Sequence, residues 1–270
     1  MNIETVDLAP RIGTEILASR GTLLSGSEAQ EIRRLLEQRG VVVFRKIDFD
    51  DEQQLAFAGT LGEIIAQGNK GIYKVTLDKK ENDRADYLLG AFHWHIDGTT
   101  DDVPTRASLL SARRLSPSGG QTEFANTYAA YDDLPESEKK SLAKLKVVHH
   151  VEVIQRKIHT APTPEQEASW RLYPPKSHPL VWNHQSGRKS LVLGSTSSHI
   201  EGMDIAAGRK LLAELEAWST QPQFVYQHRW TLGDLLIWDN TGTMHRVVPY
   251  ALDSGRMMHR TTLVAEEQLV

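Results

Sequence analysis

The C-terminal quarter of the chain most constrains the fold, because it is a succession of short strand-like segments with little helical pattern. The segments are rich in apolar, β-branched and aromatic residues and are separated by Gly, Asp and Pro; they are 223–230, 234–240, 244–250 and 259–266. No Gly-x-Gly-x-x-Gly follows a strand and strands do not alternate regularly with helices, so a Rossmann sheet fits poorly. Short strands of this kind favour a β-sandwich or a barrel.

Patterns typical of helices and of further strands flank this region. Helices are predicted at 27–39, 50–62, 136–145 and 204–219, strands at 41–44, 72–78, 106–115 and 146–154, and a hairpin at 178–194 that turns at Ser186–Gly187. In the first helix Ser27 and Gln30 can form a capping box, and Gly40 is a stop signal. In the last helix Ile205 belongs to the predicted apolar side.

These patterns indicate one domain, 1–270, that is mainly β with flanking helices. A chain of 270 residues lies within the range of single all-β or α/β domains. Residues 155–180 are rich in charge, His and Pro, and we interpret them as an insertion or lid within that domain rather than as a boundary.

The composition excludes several classes of function and of metal site. The net charge of −4 gives no electrostatic case for binding nucleic acid or an anionic membrane. No stretch of about 18 apolar residues is present, and the N-terminal segment lacks the apolar core of a signal peptide. Because the chain has no cysteine, any metal must be held by nitrogen and oxygen ligands. A cytoplasmic protein is therefore expected.

Residues 91–100, AFHWHIDGTT, concentrate polar side chains on one face if they form a strand. Side chains alternate between the two faces of a strand, which groups His93, His95 and Asp97 opposite Trp94 and Ile96. Two residues of a strand span about 7 Å, a distance that suits two ligands of one metal ion. This stretch is therefore a candidate metal site.

The reach of the carboxylate selects between the two histidines. Asp97 is two residues from His95 but four residues, about 13 Å, from His93, and one ion cannot easily contact both ends of that span. His95 and Asp97 are therefore the predicted ligands. His93 is predicted to line the mouth of the pocket or to bond a neighbouring group.

A third ligand must come from elsewhere in the chain, and His245 is the candidate. Two histidines and one carboxylate form the facial triad of non-haem Fe(II) oxygenases, which leaves open positions for an oxidisable co-substrate and for O₂. A His-x-Asp pair alone also occurs by chance, and the chain has 11 histidines. The adjacent His149 and His150, for example, are interpreted as one core and one edge histidine.

Two arginines after His245 strengthen the metal-site interpretation. Arg256 and Arg260, four residues apart, share a face if 257–265 forms a strand that returns past the metal. Guanidinium groups directed into a pocket require anions, and Arg pairs bidentately with carboxylates. The alternative is that one or both arginines pair with surface Asp or Glu.

The ordered set of motifs resembles the Fe(II)/2-oxoglutarate-dependent dioxygenases of the taurine dioxygenase and 2,4-dichlorophenoxyacetate dioxygenase family. Residues 94–99 resemble the family's Trp-His-x-Asp segment, and 115–134 resemble its Pro-x-x-Gly-Gly-x-Thr segment leading into a helix. The hairpin 178–194 resembles a His-Pro…Gly-Arg-Lys segment, and 235–263 resemble the closing Trp-Asp-Asn…His…Arg…Arg segment. The resemblance spans roughly 30–266.

The resemblance implies a double-stranded β-helix, a cupin-like jelly roll, and an iron centre at the predicted triad. The implied ligands of Fe(II) are His95, Asp97 and His245. Thr122 and Arg256 would bind the distal carboxylate of the co-substrate 2-oxoglutarate, and Trp238 would pack near the cofactor pocket. The family oxidises a small-molecule substrate with O₂ and releases succinate and CO₂. Dimers or tetramers are implied as well.

The residues expected to contact the substrate match the family pattern less closely. Arg260 lies where family members hold the acidic group of the substrate. Ala91 lies where the taurine enzymes carry an Asn that reads the amine, which favours a bulkier and more apolar acid. Gln185 follows His184 where the family often has Pro. Two rival functions remain: a non-catalytic jelly-roll binding protein, and a zinc hydrolase using the same triad.

Overall fold

Eight α-helices are present in the computed structural model, which describes residues 3–101 and 105–268. The helices are α1 Arg20–Ser25, α2 Ala29–Arg39, α3 Asp51–Leu61, α4 Thr127–Asp132, α5 Glu136–Leu142, α6 Val151–Ile158, α7 Pro164–Trp170 and α8 Ile205–Ser219. Two 3₁₀ helices cover Ala85–Phe92 and Pro222–Phe224. Among the described residues, no helix combines the length and the apolar composition needed to cross a membrane.

The strands in the described ranges number fifteen. They are β1 Glu4–Asp7, β2 Thr14–Leu17, β3 Val41–Phe44, β4 Tyr73–Val75, β5 Ala107–Arg114, β6 Thr122–Asn126, β7 Lys146–His149, β8 Lys176–Pro179, β9 Val181–Asn183, β10 Lys189–Leu191, β11 Ser197–Ile200, β12 Val225–His228, β13 Leu235–Asp239, β14 Thr243–Val247 and β15 Met257–Leu263.

A seven-stranded sheet in the order β1-β2-β3-β13-β5-β15-β4 is the largest layer. Its neighbouring strands are antiparallel except for β2 and β3. A three-stranded sheet, β12-β6-β14, carries His245, and a second one has the order β11-β7-β8. Strands β9 and β10 form a hairpin. The architecture is therefore a mixture of helices and sheets built around one large sheet.

The two faces of the large sheet bury different partners, because its central strands β3 and β13 are apolar at nearly every position and alternate residues project to opposite sides. Val42 and Ile237 face the helices α1–α3, where Phe57 packs edge-on against Phe44 at 5.5 Å. Val43, Trp238 and other residues of the opposite face pack against Phe124 of β6. This second core joins the large sheet to the sheet that carries His245, and so fixes the distance between them.

Most predicted elements are confirmed, including the C-terminal strands and the hairpin turn at Gly187, whose φ is 84°. Helix α2 ends at Gly40 with φ of 71°, but the capping box is wrong: Glu28 occupies the N-cap without a side-chain bond, and Ser25 bonds Ser27 instead. Ile205, predicted on the apolar side of α8, is 46% exposed.

Two segments that were predicted as continuous strands do not form continuous strands in the structure. The segment 146–154 splits into β7 and α6, because Val151 and Ile154 are buried with the three-residue spacing of a helix. The β-branched residues of this segment had favoured a strand instead. The stretch 91–100 begins inside a 3₁₀ helix, and only His95 forms an isolated β-bridge. The helical content is consequently larger than the mainly β prediction implied.

The segment 155–180 contains the end of α6, all of α7 and all of β8, which pairs with β7. Its proposed role as a lid stays a prediction.

Candidate metal centre and active site

The predicted triad is brought together in space. One ligand atom from each of His95, Asp97 and His245 lies within 4.8 Å of the other two. The Nε2 atom of His95 is 3.7 Å from Oδ1 of Asp97, and Nε2 of His245 is 3.9 Å from Oδ2 of the same carboxylate. This spacing leaves a position between the three donors at which one metal ion could be held.

Backbone pairing between two distant segments positions the histidines. The amide of His95 donates to the carbonyl of His245 at 3.0 Å, and the amide of His245 donates back at 2.8 Å. On the other side, the amide of Ser195 donates to the carbonyl of Trp94 at 2.8 Å. A Cβ on Gly194 would approach the Cα of His95 at 2.9 Å, so this glycine allows the segment to pack directly behind the metal motif.

A backbone acceptor fixes the tautomer of His95. Its Nδ1 lies 2.8 Å from the carbonyl oxygen of His93, and because a carbonyl only accepts, Nδ1 carries the proton. The lone pair of Nε2 is then free and faces Asp97, which is the arrangement that metal-bound histidines show. His93 therefore contributes through its backbone, while its side chain is exposed.

The electrostatics of the site favour an ionised carboxylate at Asp97 and a neutral imidazole at His245. Burial alone would raise the pKa of Asp97, but the guanidinium of Arg260, the two histidines and the Ser108 hydroxyl lower it to about 2. Burial first, and then the proximity of His95, hold the pKa of His245 well below its usual value. A carboxylate oxygen and two imidazole nitrogens match the donor set of a divalent cation.

Arg260 lies next to the triad, as predicted, but it contacts the triad itself. Its Nη1 donates to Oδ2 of Asp97 at 3.3 Å, and its guanidinium lies 5.2 Å from the centre of the Tyr73 ring. The Nε of Arg260 is buried without a partner among the described residues. The side chain therefore keeps hydrogen-bonding capacity at the edge of the metal site.

Arg256 is nearly inaccessible, with only 2% of the residue exposed. Its Nη2 donates to the carbonyl of Gly120 at 3.1 Å, and its guanidinium lies 4.9 Å from the centre of the Tyr250 ring. Burial lowers the pKa of Arg256, with Tyr250 partly opposing that effect. Within the described part of the chain no carboxylate pairs with this cation and its Nε has no partner, so the charge is uncompensated.

Thr122 and Trp238 occupy the interior between the sheets. Thr122 is 1% exposed at the start of β6, directly opposite Val247 of β14. The ring of Trp238 lies 4.7 Å from the His245 ring, and its indole nitrogen donates to Asn240 at 2.7 Å. Trp238 is therefore adjacent to a predicted ligand.

Residues that the sequence did not single out complete the surroundings. Trp230 donates its indole N–H to the hydroxyl of Thr122 at 2.9 Å. Ser108 donates to Asp97 at 3.4 Å. Nothing in the spacing of the sequence links these pairs, because each joins segments that meet only in the folded protein.

Aromatic rings and a cavity lie around the metal motif. Ala91 is half-buried in the first 3₁₀ helix, and the next residue, Phe92, contacts Tyr250 edge-on with ring centres 5.6 Å apart. A cavity of about 590 Å³ lies between α6, α8 and the segment 193–198. Gly194, which backs onto His95, is part of its lining.

Comparison with known proteins gives one consistent result. The family model described as taurine catabolism dioxygenase TauD, TfdA family matches residues 4–262. The alpha-ketoglutarate-dependent 2,4-dichlorophenoxyacetate dioxygenase of Burkholderia sp. (strain RASC) is 38% identical over 265 residues, covering 91% of this chain and 88% of the relative. The alpha-ketoglutarate-dependent sulfate ester dioxygenase of Pseudomonas putida is 31% identical over 292 residues, covering 98% and 91%.

A solved structure extends this similarity to the whole fold. The crystal structure of AAD-2 in complex with Mn(II) and N-oxalylglycine matches with a TM-score of 0.86 and 35% identity over 100% of both chains. The resemblance drawn from the four sequence motifs is thus confirmed: this chain belongs to the TauD, TfdA family of alpha-ketoglutarate-dependent dioxygenases.

Proposed function

We propose that this protein uses Fe(II), 2-oxoglutarate and O₂ to hydroxylate a small, anionic and partly apolar organic substrate, with release of succinate and CO₂. The observation that carries the proposal is the pairing of a two-histidine, one-carboxylate cluster with a buried arginine that has no acidic partner in the described residues. A structural metal site would need the first feature but not the second.

In this proposal His95, Asp97 and His245 hold the iron. The donor set fits, because the tautomer of His95 and the ionised Asp97 present lone pairs to one position. When bound, the iron supplies the oxidative chemistry that couples decarboxylation of 2-oxoglutarate to oxygen transfer. The protein's contribution is to hold the reactants beside it in a shielded pocket.

Arg256 and Thr122 are proposed to bind the distal carboxylate of 2-oxoglutarate. An uncompensated buried guanidinium is unfavourable, and a carboxylate that accepts from its free N–H groups would remove that penalty. Thr122 supports this role because its hydroxyl accepts from Trp230 and has no acceptor of its own among the described residues, which leaves its proton available.

Arg260 is proposed to attract the anionic group of the substrate. Its Nε lacks a partner, and Tyr73 beside it and the Phe92–Tyr250 pair could accommodate an apolar body. Among the relatives, substrates named in the comparisons include an aryloxyacetate and sulfate esters, both of which are anionic. Hydroxylation beside a heteroatom would then cleave a C–O, C–S or C–N bond; desaturation is the other outcome.

The fold proposed to serve this chemistry is a double-stranded β-helix. It is supported by the packing of the large sheet onto β12-β6-β14 through Trp238 and Phe124, with His245 at that junction. Assembly into dimers or tetramers and a cytoplasmic location stay predictions.

An anaerobic titration tests the proposal directly. Metal-free protein given Fe(II) and then 2-oxoglutarate should develop a visible charge-transfer band, which Asp97→Ala should abolish. The absence of a band in the unsubstituted protein would contradict the dioxygenase function and leave the zinc hydrolase or the binding protein. Succinate release would then be screened with aryloxy carboxylates, sulfonates and sulfate esters.

The role of Arg256 can be separated from its packing by a matched control. Arg256→Gln should raise the KM for 2-oxoglutarate roughly 10- to 100-fold, the equivalent of losing one charge-assisted pair. Arg188→Gln is the control, because Arg188 likewise donates to a backbone carbonyl, that of Glu37, and lies over an aromatic ring, that of Tyr128. Equal effects of the two substitutions would contradict the assignment.

A further inference from the structure

A chain of contacts leads from the turn that carries Trp230 to the hydroxyl of Thr122. Trp230 is half-buried, and its indole Nε1 lies 2.9 Å from Oγ1 of Thr122. An indole N–H can only donate, so the Thr122 oxygen must be the acceptor in this bond. One lone pair of that oxygen is therefore occupied, and the hydroxyl proton is directed away from Trp230.

The remaining proton of Thr122 has no acceptor among the residues that the structure describes. Because Thr122 is 1% exposed, bulk water is a poor substitute for a partner. The same region holds Arg256, which donates to Gly120 two residues before Thr122 and whose Nε is also unpartnered. Two buried donor groups with unused capacity, the Thr122 hydroxyl and the Nε of Arg256, therefore lie near the start of β6, which is the arrangement that a bound carboxylate would satisfy.

Trp230 is itself held by its neighbours. Its ring packs edge-on against His228, with centres 4.4 Å apart and planes at 77°. His228 lies 2.9 Å from the hydroxyl of Tyr226 through Nδ1 and 3.2 Å from Asp234 through Nε2. The amide of Thr231, next in sequence to Trp230, donates to the same Asp234 at 3.0 Å.

Asp234 is fully buried and anchors this turn to the large sheet. Its carboxylate accepts from Arg45 at 2.9 Å and from the amide of Lys46 at 3.0 Å. The turn that carries Trp230 is therefore fixed on both sides, and the indole cannot easily follow a movement of the Thr122 hydroxyl.

From these contacts we infer that Trp230 is a positioning residue for the co-substrate: it orients the Thr122 hydroxyl so that its proton is donated to the distal carboxylate of 2-oxoglutarate. The inference rests on the proposed function, which assigns that carboxylate to Thr122 and Arg256. Without the indole donor, the hydroxyl is free to rotate and must be ordered when the co-substrate binds.

The test is a double-substitution cycle read out by binding. N-oxalylglycine would be titrated calorimetrically into the Mn(II)-loaded full-length protein, so that the result does not depend on turnover. Trp230→Phe keeps an aromatic ring but removes the N–H. It should weaken the binding of N-oxalylglycine about 3- to 10-fold, which corresponds to the free energy of one hydrogen bond. Trp230→Phe combined with Thr122→Val should bind no more weakly than Thr122→Val alone.

Two further variants separate orientation from packing. Trp218→Phe is the matched control, because the half-buried Trp218 also donates its indole N–H over 2.9 Å, but to the carbonyl of Ala130. It should leave binding unchanged. Thr122→Ser keeps the hydroxyl and should retain the sensitivity to Trp230→Phe. In steady-state assays, Trp230→Phe should raise the KM for 2-oxoglutarate with little change in kcat.

The possible outcomes distinguish this inference from the proposed function. Weakened binding in Thr122→Val but not in Trp230→Phe would overturn the positioning role and leave the co-substrate site intact. Unchanged binding in both Thr122→Val and Arg256→Gln would contradict the proposed site itself. If Trp230→Phe fails to fold, the indole ¹⁵N–¹H signal of Trp230 is followed by NMR in the unsubstituted protein instead. We expect this signal to shift when N-oxalylglycine is added. The absence of a shift would overturn the inference.

Discussion

His95 and His245 are joined by a reciprocal pair of backbone hydrogen bonds, 3.0 and 2.8 Å long, that holds their rings 4.0 Å apart. This bridge is isolated, since neither flanking segment continues the pairing. The relative position of these two predicted ligands thus depends on a single β-bridge and on the segment around Gly194 that packs against it.

The first prediction concerns the two histidines of the metal motif. His95→Ala should abolish Fe(II) or Mn(II) binding, because its Nε2 faces Asp97. His93→Ala should retain metal affinity within a few-fold, since only its backbone carbonyl orients His95 and its side chain is exposed. Metal titration of the two variants checks this; loss of binding in His93→Ala with retention in His95→Ala would overturn the register.

A second prediction concerns the glycine behind the bridge. In Gly194→Ala, the new Cβ would lie 2.9 Å from the Cα of His95 and 3.1 Å from the carbonyl of Trp94, and Gly194 has φ of 125°. Metal affinity should fall at least 10-fold, with a lower melting temperature. In Gly187→Ala, φ is 84° but the space is open, so stability should fall by about 1 kcal/mol while metal affinity is kept.

The third prediction concerns the buried ion pair between Arg106 and Asp239. Asp239 is 0% exposed and accepts from Arg106 at 3.5 Å and from Thr241. Arg106→Met should lower the free energy of unfolding by roughly 3 kcal/mol, because it leaves a buried carboxylate without its cation. Arg33→Met removes a more exposed pair with Glu266 and should cost roughly 1 kcal/mol or less in urea unfolding. Similar losses would contradict the argument.

A fourth prediction is a pH dependence of stability that comes from His149. Burial, and then the proximity of His178, lower the pKa of His149 to about 3. Between pH 6.5 and about 3 the unfolded chain therefore binds a proton that the folded protein does not, and stability falls as pH falls through this window, by up to about 1.4 kcal/mol per pH unit.

Replacement of His149 by a non-titrating side chain should flatten this dependence. His149→Gln is expected to reduce the slope of unfolding free energy against pH between 6 and 4, whatever its effect at neutral pH. His150→Gln, at the half-buried neighbour, is the comparison. An unchanged slope in His149→Gln would show that this imidazole is protonated in the folded state.

Local rules in the sequence were sufficient for much of the fold, and they pointed to His95 and Asp97, whose role as metal ligands stays a prediction. Alternation along the metal motif predicts Trp94 and Ile96 on the buried side, and both are buried even though the segment forms only an isolated bridge rather than a strand. Gly40 marked a helix end because its φ of 71° is costly for other residues. The period of two failed where β-branched residues followed a helical spacing, as at Val151.

Sequence alone determined the family and the strand-rich C-terminal quarter, because these depend on residue types at short spacings along the chain, and it predicted His245 as a distant third ligand. Only the tertiary structure decided which atoms meet: that Arg260 contacts Asp97, that Trp230 donates to Thr122, and that a carbonyl sets the tautomer of His95. The first two contacts join residues far apart in the chain, and their geometry follows from how sheets pack and pair rather than from any local pattern.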